Sequence, residues 1–254
     1  MADMVLETRD LTVQFGGHVA VDGISTGFRA GELTAIVGPN GAGKTTYFNL
    51  ISGQIAATRG RVLLEGRNIS RKPASTRTRM GLGRGFQLTN LFPDLTVYEN
   101  VRLVVQAHQR KGGRLLRLAD SDDHMRDMTH QALDQVQMRV QADKPVSELP
   151  HGDQRKLEVA MLIAMDPKVY MFDEPTAGMS PDDAPVVLDL IGRLSQDRSK
   201  CILLVEHKMD VISALADRII VLHNGALVAD GAPRDVMASA IVQEAYMGRA
   251  QANV

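Results

Sequence analysis

A glycine-rich segment in the first fifth of the chain carries the residue types that bind phosphate groups. It matches the pattern G-x-x-x-x-G-K-[ST] and consists of Gly38, Pro39, Asn40, Gly41, Ala42, Gly43, Lys44 and Thr45. Glycines let the backbone curl so that successive N–H groups point at phosphate oxygens, and a following helix adds its positive N-terminal end. Lys44 supplies a cation for the β- and γ-phosphates, and the Thr45 hydroxyl is suited to Mg²⁺. The segment therefore predicts a nucleoside triphosphate site rather than a chance glycine-rich turn.

Two adjacent acids follow a short apolar run later in the chain. The run 169–172 (VYMF) leads directly into Asp173 and Glu174. A strand that ends in two acids presents carboxylates at the carboxyl edge of a sheet, where α/β proteins bind ligands. There Asp173 can orient Mg²⁺, directly or through water, and Glu174 can accept the proton of an attacking water. Taken alone, the pair could equally cap the next element, because Pro175 follows. The phosphate-binding segment in the same chain favours the catalytic interpretation.

Alternating strands and helices are predicted around these two segments. The apolar run 32–37 precedes the glycine-rich segment, and the helical pattern 44–52 follows it and stops before Gly53. Further strands are predicted at 169–172, 201–205 and 218–222, with helical segments at 181–198 and 208–216. Continuous apolar strands that alternate with helices indicate an α/β fold with a buried, mostly parallel sheet.

The N-terminal segment and the middle of the chain have other patterns. Strands are predicted at 5–13, 18–21 and 61–64. From about 96 to 140 the pattern is helical, with polar and basic interruptions and no β-rich run. We therefore predict one α/β core with a helical insertion.

Composition excludes several classes of protein. The 254 residues are 44% hydrophobic and 23% charged, which is typical of a globular chain rather than a disordered one. The formal net charge of -1 argues against nucleic acid as a partner. A single cysteine, Cys201, allows no intramolecular disulfide, and the apolar stretches are too short to cross a bilayer. We expect a globular protein of a reducing, cytosolic compartment.

Five motifs occur in one order along nearly the whole chain. They are GPNGAGKTT at 38–46, GRGFQ ending at Gln87, LPHGDQ at 149–154, VYMFDEPTAGMSP at 169–181 and LLVEH ending at His207. This series resembles the ATP-binding subunit of an ABC transporter, from Phe15 to about Gly248. The resemblance is greatest to the ATPases of branched-chain amino acid importers, followed by those of urea and amide importers.

The resemblance implies roles for residues outside the two segments described first. Phe15 corresponds to an aromatic that stacks on adenine, although a core aromatic at a strand end is the alternative. Gln87 corresponds to a glutamine that contacts Mg²⁺ and the attacking water. His207 corresponds to a histidine that contacts the γ-phosphate, although a lone histidine is more often structural. Thr46 belongs to the phosphate loop, and Gly152 corresponds to a glycine that approaches the ATP held by a second subunit.

One motif departs from the family. The usual LSGGQ is replaced by LPHGD at 149–153, which keeps Gly152 but puts Pro150 in place of the serine. Asp153 adds a negative charge near a triphosphate, and that charge needs a partner such as Arg155 or Lys156. Slow hydrolysis is the consequence if the charge is not paired.

The resemblance also implies an activity, an architecture and partners. The activity is hydrolysis of ATP with Mg²⁺, coupled to import of branched-chain amino acids or related small polar solutes across the bacterial inner membrane. The architecture is a P-loop NTPase core at 1–86 and 168–254, with an antiparallel β layer from the N-terminal segment and a helical subdomain at about 87–167. The partners are two transmembrane permease subunits, docking near 87–93, and a second ATPase subunit, either a copy or a related chain. A periplasmic solute-binding protein is an indirect partner, and the chain is expected at the cytoplasmic face of the membrane.

Other functions remain open from the sequence. A lipopolysaccharide exporter has an ATPase of similar length, and a weakly active chain could serve mainly as the structural partner of a second ATPase. ABC proteins of DNA repair or translation are disfavoured, because the chain has neither a long coiled-coil insertion nor a second cassette. The basic stretches 71–79 and 110–117 are interpreted as solvated faces, with lipid headgroups or an acidic loop of a partner as the alternative.

Overall fold

The computed structural model describes residues 4–85, 91–109, 123–181 and 184–239. The chain divides into two compact units. The first, here called the core unit, comprises 1–84, 168–174 and 194–254, and the second, here called the helical unit, comprises 85–167 and 175–193. The helical subdomain predicted at about 87–167 falls within the helical unit, and its boundaries stay a prediction.

Ten strands and eight α-helices are assigned in the described part of the chain. The strands are β1 Met4–Phe15, β2 His18–Arg29, β3 Glu32–Val37, β4 Arg59–Leu64, β5 Arg67–Asn68, β6 Leu82–Gly85, β7 Val169–Asp173, β8 Cys201–Val205, β9 Arg218–His223 and β10 Ala226–Gly231. The helices are α1 Lys44–Ser52, α2 Ala74–Arg79, α3 Val97–His108, α4 Asp123–Gln135, α5 His151–Ala164, α6 Ala184–Ser195, α7 Met209–Leu215 and α8 Pro233–Ala238.

Two sheets form the framework of the core unit. The larger has the order β10-β9-β3-β8-β7-β6, with β3 parallel to β8 and β9, β7 parallel to β8, and β10 antiparallel at one edge. The smaller has the order β2-β1-β4-β5 and is antiparallel throughout. The predicted α/β class, with a mostly parallel sheet and an N-terminal antiparallel layer, is confirmed.

The larger sheet is apolar on both faces because helices or strands cover each face. On one face, Ile36 joins a buried cluster that includes residues of β1, β2 and α1. On the other face, Ala35 and Val37 pack with Ile212 of α7 and Val236 of α8. The alternation follows from the period of two in a strand, and it explains why these strands read as continuous apolar runs.

The helical unit is built from α3, α4, α5 and most of α6. The start of α3 is fixed by a capping box, in which Thr96 and Glu99 satisfy each other's backbone N–H groups. The apolar sides of the helices are buried, among them Val101 and Val105 of α3, Leu133 of α4 and Leu157 of α5. The helical pattern predicted for the middle of the chain is thus present in the described residues, and 110–122 lie outside them.

The structure departs from the sequence interpretation in the length of one strand, in strands that were not predicted and in the burial of one arginine. The predicted strand at 18–21 continues to Arg29, and the edge strand β10 was not predicted. Arg77, assigned from its basic neighbours to a solvated face, is instead 2% exposed. Its guanidinium donates to the backbone oxygens of Leu50 and Ile51 at 2.7 and 2.6 Å, and so satisfies carbonyls at the C-terminal end of α1.

Candidate functional site

The site lies where three neighbouring parallel strands end. Ile36 of β3 and Asp173 of β7 both lie opposite Val205 of β8, so the three strands reach the same edge of the sheet. The residues that follow are the glycine-rich segment, Glu174 and His207. Sequence position separates these groups, and the strand order brings them to one edge, where ligands of α/β proteins bind.

The glycine-rich segment forms a tight loop between β3 and α1. At Gly38, φ is +153°, and a Cβ there would lie 2.2 Å from the backbone oxygen of Leu222. At Gly43, φ is +98°, and a Cβ would lie 2.6 Å from the backbone oxygen of Ala20. Side chains are therefore excluded at both positions by the approach of neighbouring backbone. Gly43 is the N-cap of α1 and supplies no side-chain cap, so N–H groups at the start of the helix can donate hydrogen bonds to an anion.

Lys44 lies at the start of α1 with its ammonium group turned back toward the loop. Its Nζ donates to the backbone oxygen of Gly38 at 2.7 Å and to that of Pro39 at 3.1 Å. Thr45, the next residue, is exposed, which makes its hydroxyl accessible to a ligand. The cation and the hydroxyl are thus both presented by the loop.

The end of the β1–β2 hairpin lies beside the phosphate loop. Ala20 of β2 closely approaches Gly43, and Phe15 at the end of β1 is 50% exposed. The alternative of a buried core aromatic is therefore wrong for Phe15. An exposed ring at the end of this hairpin is available for stacking on a nucleobase.

Asp173 is held by a buried arginine. Its Oδ2 accepts a hydrogen bond from Nη2 of Arg84 at 2.7 Å. Burial raises the pKa of the Asp173 carboxyl, and the positive charge of Arg84 opposes that rise. The sequence interpretation missed Arg84, because β6 was not predicted and no acid lies near it in sequence. A charged residue in an otherwise apolar, glycine-containing run (LGRG) was the available signal.

Glu174 and His207 are in direct contact. His207 Nε2 lies 2.7 Å from Glu174 Oε1, and their side chains are 44% and 40% exposed. Glu174 has φ of +51°, which is uncommon for a residue with a large side chain. Its N–H donates to the backbone oxygen of Val205 at 2.9 Å, so pairing with β8 holds this backbone turn in place. Glu174 thus combines an uncommon backbone conformation with a carboxylate in contact with the histidine.

Two further residues were predicted for the site, Gln87 and Gly152. Gln87 falls outside the described residues. Gly152 is buried in the first turn of α5, in the helical unit. The negative charge of Asp153 is paired there, because its carboxylate accepts from Nζ of Lys156 at 3.0 Å and from Nε2 of Gln141 at 3.0 Å. The charge that made slow hydrolysis an expectation is therefore neutralised within the same unit.

The side chains at this site suit a cation that binds a few protein oxygens and keeps water and phosphate as its other ligands. Within the described residues, no group of three or more His, Cys, Asp or Glu side chains could enclose a metal ion. Mg²⁺ binds through oxygen, commonly one or two protein groups together with substrate phosphates. The Thr45 hydroxyl and the Asp173 carboxylate are oxygen donors of that kind, so the residues present fit Mg²⁺.

Comparison with known families identifies the class of protein. A sequence profile described as "ABC transporter" matches residues 21–177, a range that includes the phosphate loop and the Asp173–Glu174 pair. The chain belongs to the ABC transporter family. As a member of that family it binds nucleotide and is an ATPase.

Individual relatives align with the ABC transporter chain over nearly its full length. It is 35% identical to the high-affinity branched-chain amino acid transport ATP-binding protein LivG of Salmonella typhimurium, covering 98% of this chain and 100% of LivG. It is 33% identical to the corresponding protein BraF of Pseudomonas aeruginosa, with the same coverage. Among solved structures, it is similar to the ADP conformation of MJ1267, an ATP-binding cassette of an ABC transporter. The TM-score is 0.82, with 27% identity over 96% of this chain and 99% of that one.

Proposed function

We propose that this ABC ATPase powers import of branched-chain amino acids, or related small polar solutes, across the bacterial inner membrane. The observation that carries the proposal is the full-length match to LivG and BraF, whose names specify branched-chain amino acid transport. Those names favour amino acids over lipopolysaccharide as the transported material. The pairing of Asp153 with Lys156 supports an active chain, because it neutralises the charge that the altered signature adds.

The nucleotide is held by backbone and by one cation. The N–H groups of the loop 38–46 and the start of α1 donate to the phosphates, and the adenine ring stacks on Phe15. Lys44 exchanges its bonds to the loop carbonyls for bonds to the β- and γ-phosphates. Both partners are charged in the bonds to phosphate, whereas only Lys44 is charged in the bonds to the carbonyls, so this exchange favours the bound state.

Hydrolysis is assigned to the cluster at the sheet edge. Thr45 and Asp173 would hold Mg²⁺, together with Gln87, and the ion would neutralise charge on the phosphates. Glu174 accepts the proton of the attacking water, and His207 contacts the γ-phosphate and orients the Glu174 carboxylate through their contact. A positioned base of this kind contributes about 10²–10⁴ to the rate.

The second half of each site is proposed to come from another ATPase subunit. Gly152 lies in the first turn of α5, and its missing side chain allows the helix N-terminus to approach a γ-phosphate. We propose a head-to-tail dimer, of two copies or of this chain and a related one, in which Gly152 acts on the ATP of its neighbour.

Membrane subunits are required by the proposed transport. None of the helices in the described part of the chain has the length and hydropathy of a bilayer-spanning segment. We propose peripheral attachment at the cytoplasmic face through two permease subunits, with a periplasmic binding protein delivering the solute. Phe92, within the predicted docking segment 87–93, is 52% exposed. The fully buried Asn100 fixes its backbone by accepting from the N–H of Phe92 at 2.9 Å and donating to its oxygen at 3.1 Å.

The test is reconstitution of the chain with its permease subunits in liposomes. Phosphate release is measured in two conditions. One contains the solute-binding protein and leucine, and the other contains lipopolysaccharide instead of these two components. We expect stimulation by leucine that Glu174→Gln removes. Turnover that no amino acid stimulates would contradict the proposed solute, and a chain without turnover in any condition would contradict the proposed mechanism.

A further inference from the structure

Arg84 contacts one of the proposed Mg²⁺ ligands, yet none of the roles assigned above uses it. It lies in β6, next to β7 in the larger sheet, and its Nη2 donates to Asp173 Oδ2 at 2.7 Å. The side chains of Arg84 and Asp173 are only 7% and 5% exposed. A buried ion pair of this kind is weak support for stability, because desolvation of both charges offsets their attraction. Its place beside the site calls for a functional explanation.

The same guanidinium also binds α1, the helix that begins with the phosphate loop. Nη1 donates to Asn49 Oδ1 at 2.7 Å and to Ser52 Oγ at 2.9 Å. Arg84 Cζ lies 5.6 Å from the centroid of the Phe48 ring, within the range of a cation–π contact. Arg84 thus joins the end of β7 to one side of α1.

That side of α1 is the one that carries Thr45. Residues four and seven positions apart lie on one face of a helix, so Thr45, Asn49 and Ser52 form a single row. Arg84 binds two members of the row and also binds Asp173. The position of the carboxylate is therefore fixed relative to the row that begins with the threonine hydroxyl.

We propose that Arg84 is a positioning residue for Mg²⁺. By engaging Oδ2, it directs Oδ1 of Asp173 to the cation and sets its spacing from the Thr45 hydroxyl. The inference rests on the proposed function, in which Thr45 and Asp173 hold Mg²⁺. In this role Arg84 would act on the cation through Asp173.

An arginine is needed at position 84 because its partners lie in different directions from the side chain. A planar guanidinium presents one N–H-bearing nitrogen to Asp173 and another to Asn49 and Ser52, while its Cζ lies over the Phe48 ring. A lysine ammonium is a single point and cannot reach all of these partners at once. Arg84→Lys should therefore keep the charge and lose part of the positioning.

The experiment measures how much Mg²⁺ the chain needs to bind nucleotide, which is independent of turnover. A fluorescent ATP analogue is first titrated into the purified full-length chain in EDTA. In a second titration, the nucleotide concentration is fixed and the Mg²⁺ concentration is increased in steps. For Arg84→Met we expect unchanged affinity in EDTA and an increase of about 10–100-fold in the half-saturating Mg²⁺ concentration, as for other groups that orient a metal ligand. Arg84→Lys should give a smaller increase, of about threefold to tenfold.

Arg77→Met is the matched control. Arg77 is also a buried arginine that binds the C-terminal end of α1, but its partners there are the backbone carbonyls of Leu50 and Ile51 rather than the side chains of Asn49 and Ser52. The Arg77→Met variant should be less stable, but its half-saturating Mg²⁺ concentration for nucleotide binding should be unchanged. An equal increase in the Arg77 and Arg84 variants would show a merely structural role and overturn the inference.

The remaining outcomes separate this inference from the proposed function. A wild-type chain whose ATP binding does not respond to Mg²⁺ would overturn both. A responsive wild type with an unchanged requirement in the Arg84 variants would overturn the inference alone. If Arg84→Met does not fold, Arg84→Lys decides in the same way, because it keeps the buried charge pair.

Discussion

Replacing Glu174 by glutamine removes the proposed base and changes little else. The amide has the same shape as the carboxylate, the side chain is 40% exposed, and its side-chain partner is His207 Nε2 at 2.7 Å. A surface substitution of this kind alters stability by less than about 0.5 kcal/mol. The amide cannot accept a proton, so turnover should fall by about 10²–10⁴, or about 2.7–5.4 kcal/mol of activation free energy. Affinity for ATP should stay unchanged, since Glu174 is not part of the phosphate loop.

The assay is phosphate release at saturating Mg²⁺ and ATP, with nucleotide affinity measured in parallel. Glu65→Gln is the control, because Glu65 also has a positive φ, of 48°, and is 49% exposed. It pairs with Lys168 away from the site, so turnover should be normal. His207→Ala added to Glu174→Gln should cost far less than His207→Ala alone, because the two groups act together. Retention of more than about a tenth of wild-type turnover by Glu174→Gln would refute the assignment, given the size expected for a general base.

Three further predictions concern other parts of the molecule. Lys44→Ala should weaken ATP binding by about 10–100-fold, the equivalent of one charge-assisted hydrogen bond, and a titration with fluorescent ATP that shows unchanged affinity would contradict the role of the loop. Gly152→Asp should leave ATP binding intact and block phosphate release, since a carboxylate would face the neighbour's γ-phosphate. If the dimer consists of two copies of this chain, mixing the Gly152→Asp and Glu174→Gln variants should restore some phosphate release. A Gly152→Asp chain that cannot bind ATP would exclude action on the neighbouring site. Arg77→Met should lower the free energy of unfolding by about 2–5 kcal/mol in urea titration, because the carbonyls of Leu50 and Ile51 lose their donor, and a loss under about 1 kcal/mol would show that water replaces the guanidinium.

Sequence reasoning worked best where a motif is short and local. The phosphate loop could be read directly, because its function depends on glycines, one lysine and one hydroxyl at fixed spacing between a strand and a helix. The strands 32–37, 169–172, 201–205 and 218–222 were recognisable for a similar reason, since burial on both faces leaves a continuous apolar run. Weakly apolar or very short strands such as β5, β6 and β10 carry no such signal, and they were missed.

The basic stretch 71–79 shows why burial cannot be read from residue type alone. Arg71, Lys72 and Arg79 are exposed as expected, while Arg77 is buried against the end of α1. A helix that ends inside the core leaves carbonyl groups that need a donor, and an arginine from a distant element can satisfy them. The requirement arises only once α1 and α2 have packed together.

The sequence by itself determined the family, the phosphate loop and the acids that follow β7, because each depends on neighbouring residues. Only the tertiary structure decided that Glu174 touches His207, that Phe15 is exposed, and that Arg84 holds Asp173. Arg84 and Asp173 are 89 residues apart, and they meet because β6 and β7 are neighbours in the sheet. Strand order is set by which apolar faces can be buried together, and that is a property of the whole core rather than of any segment.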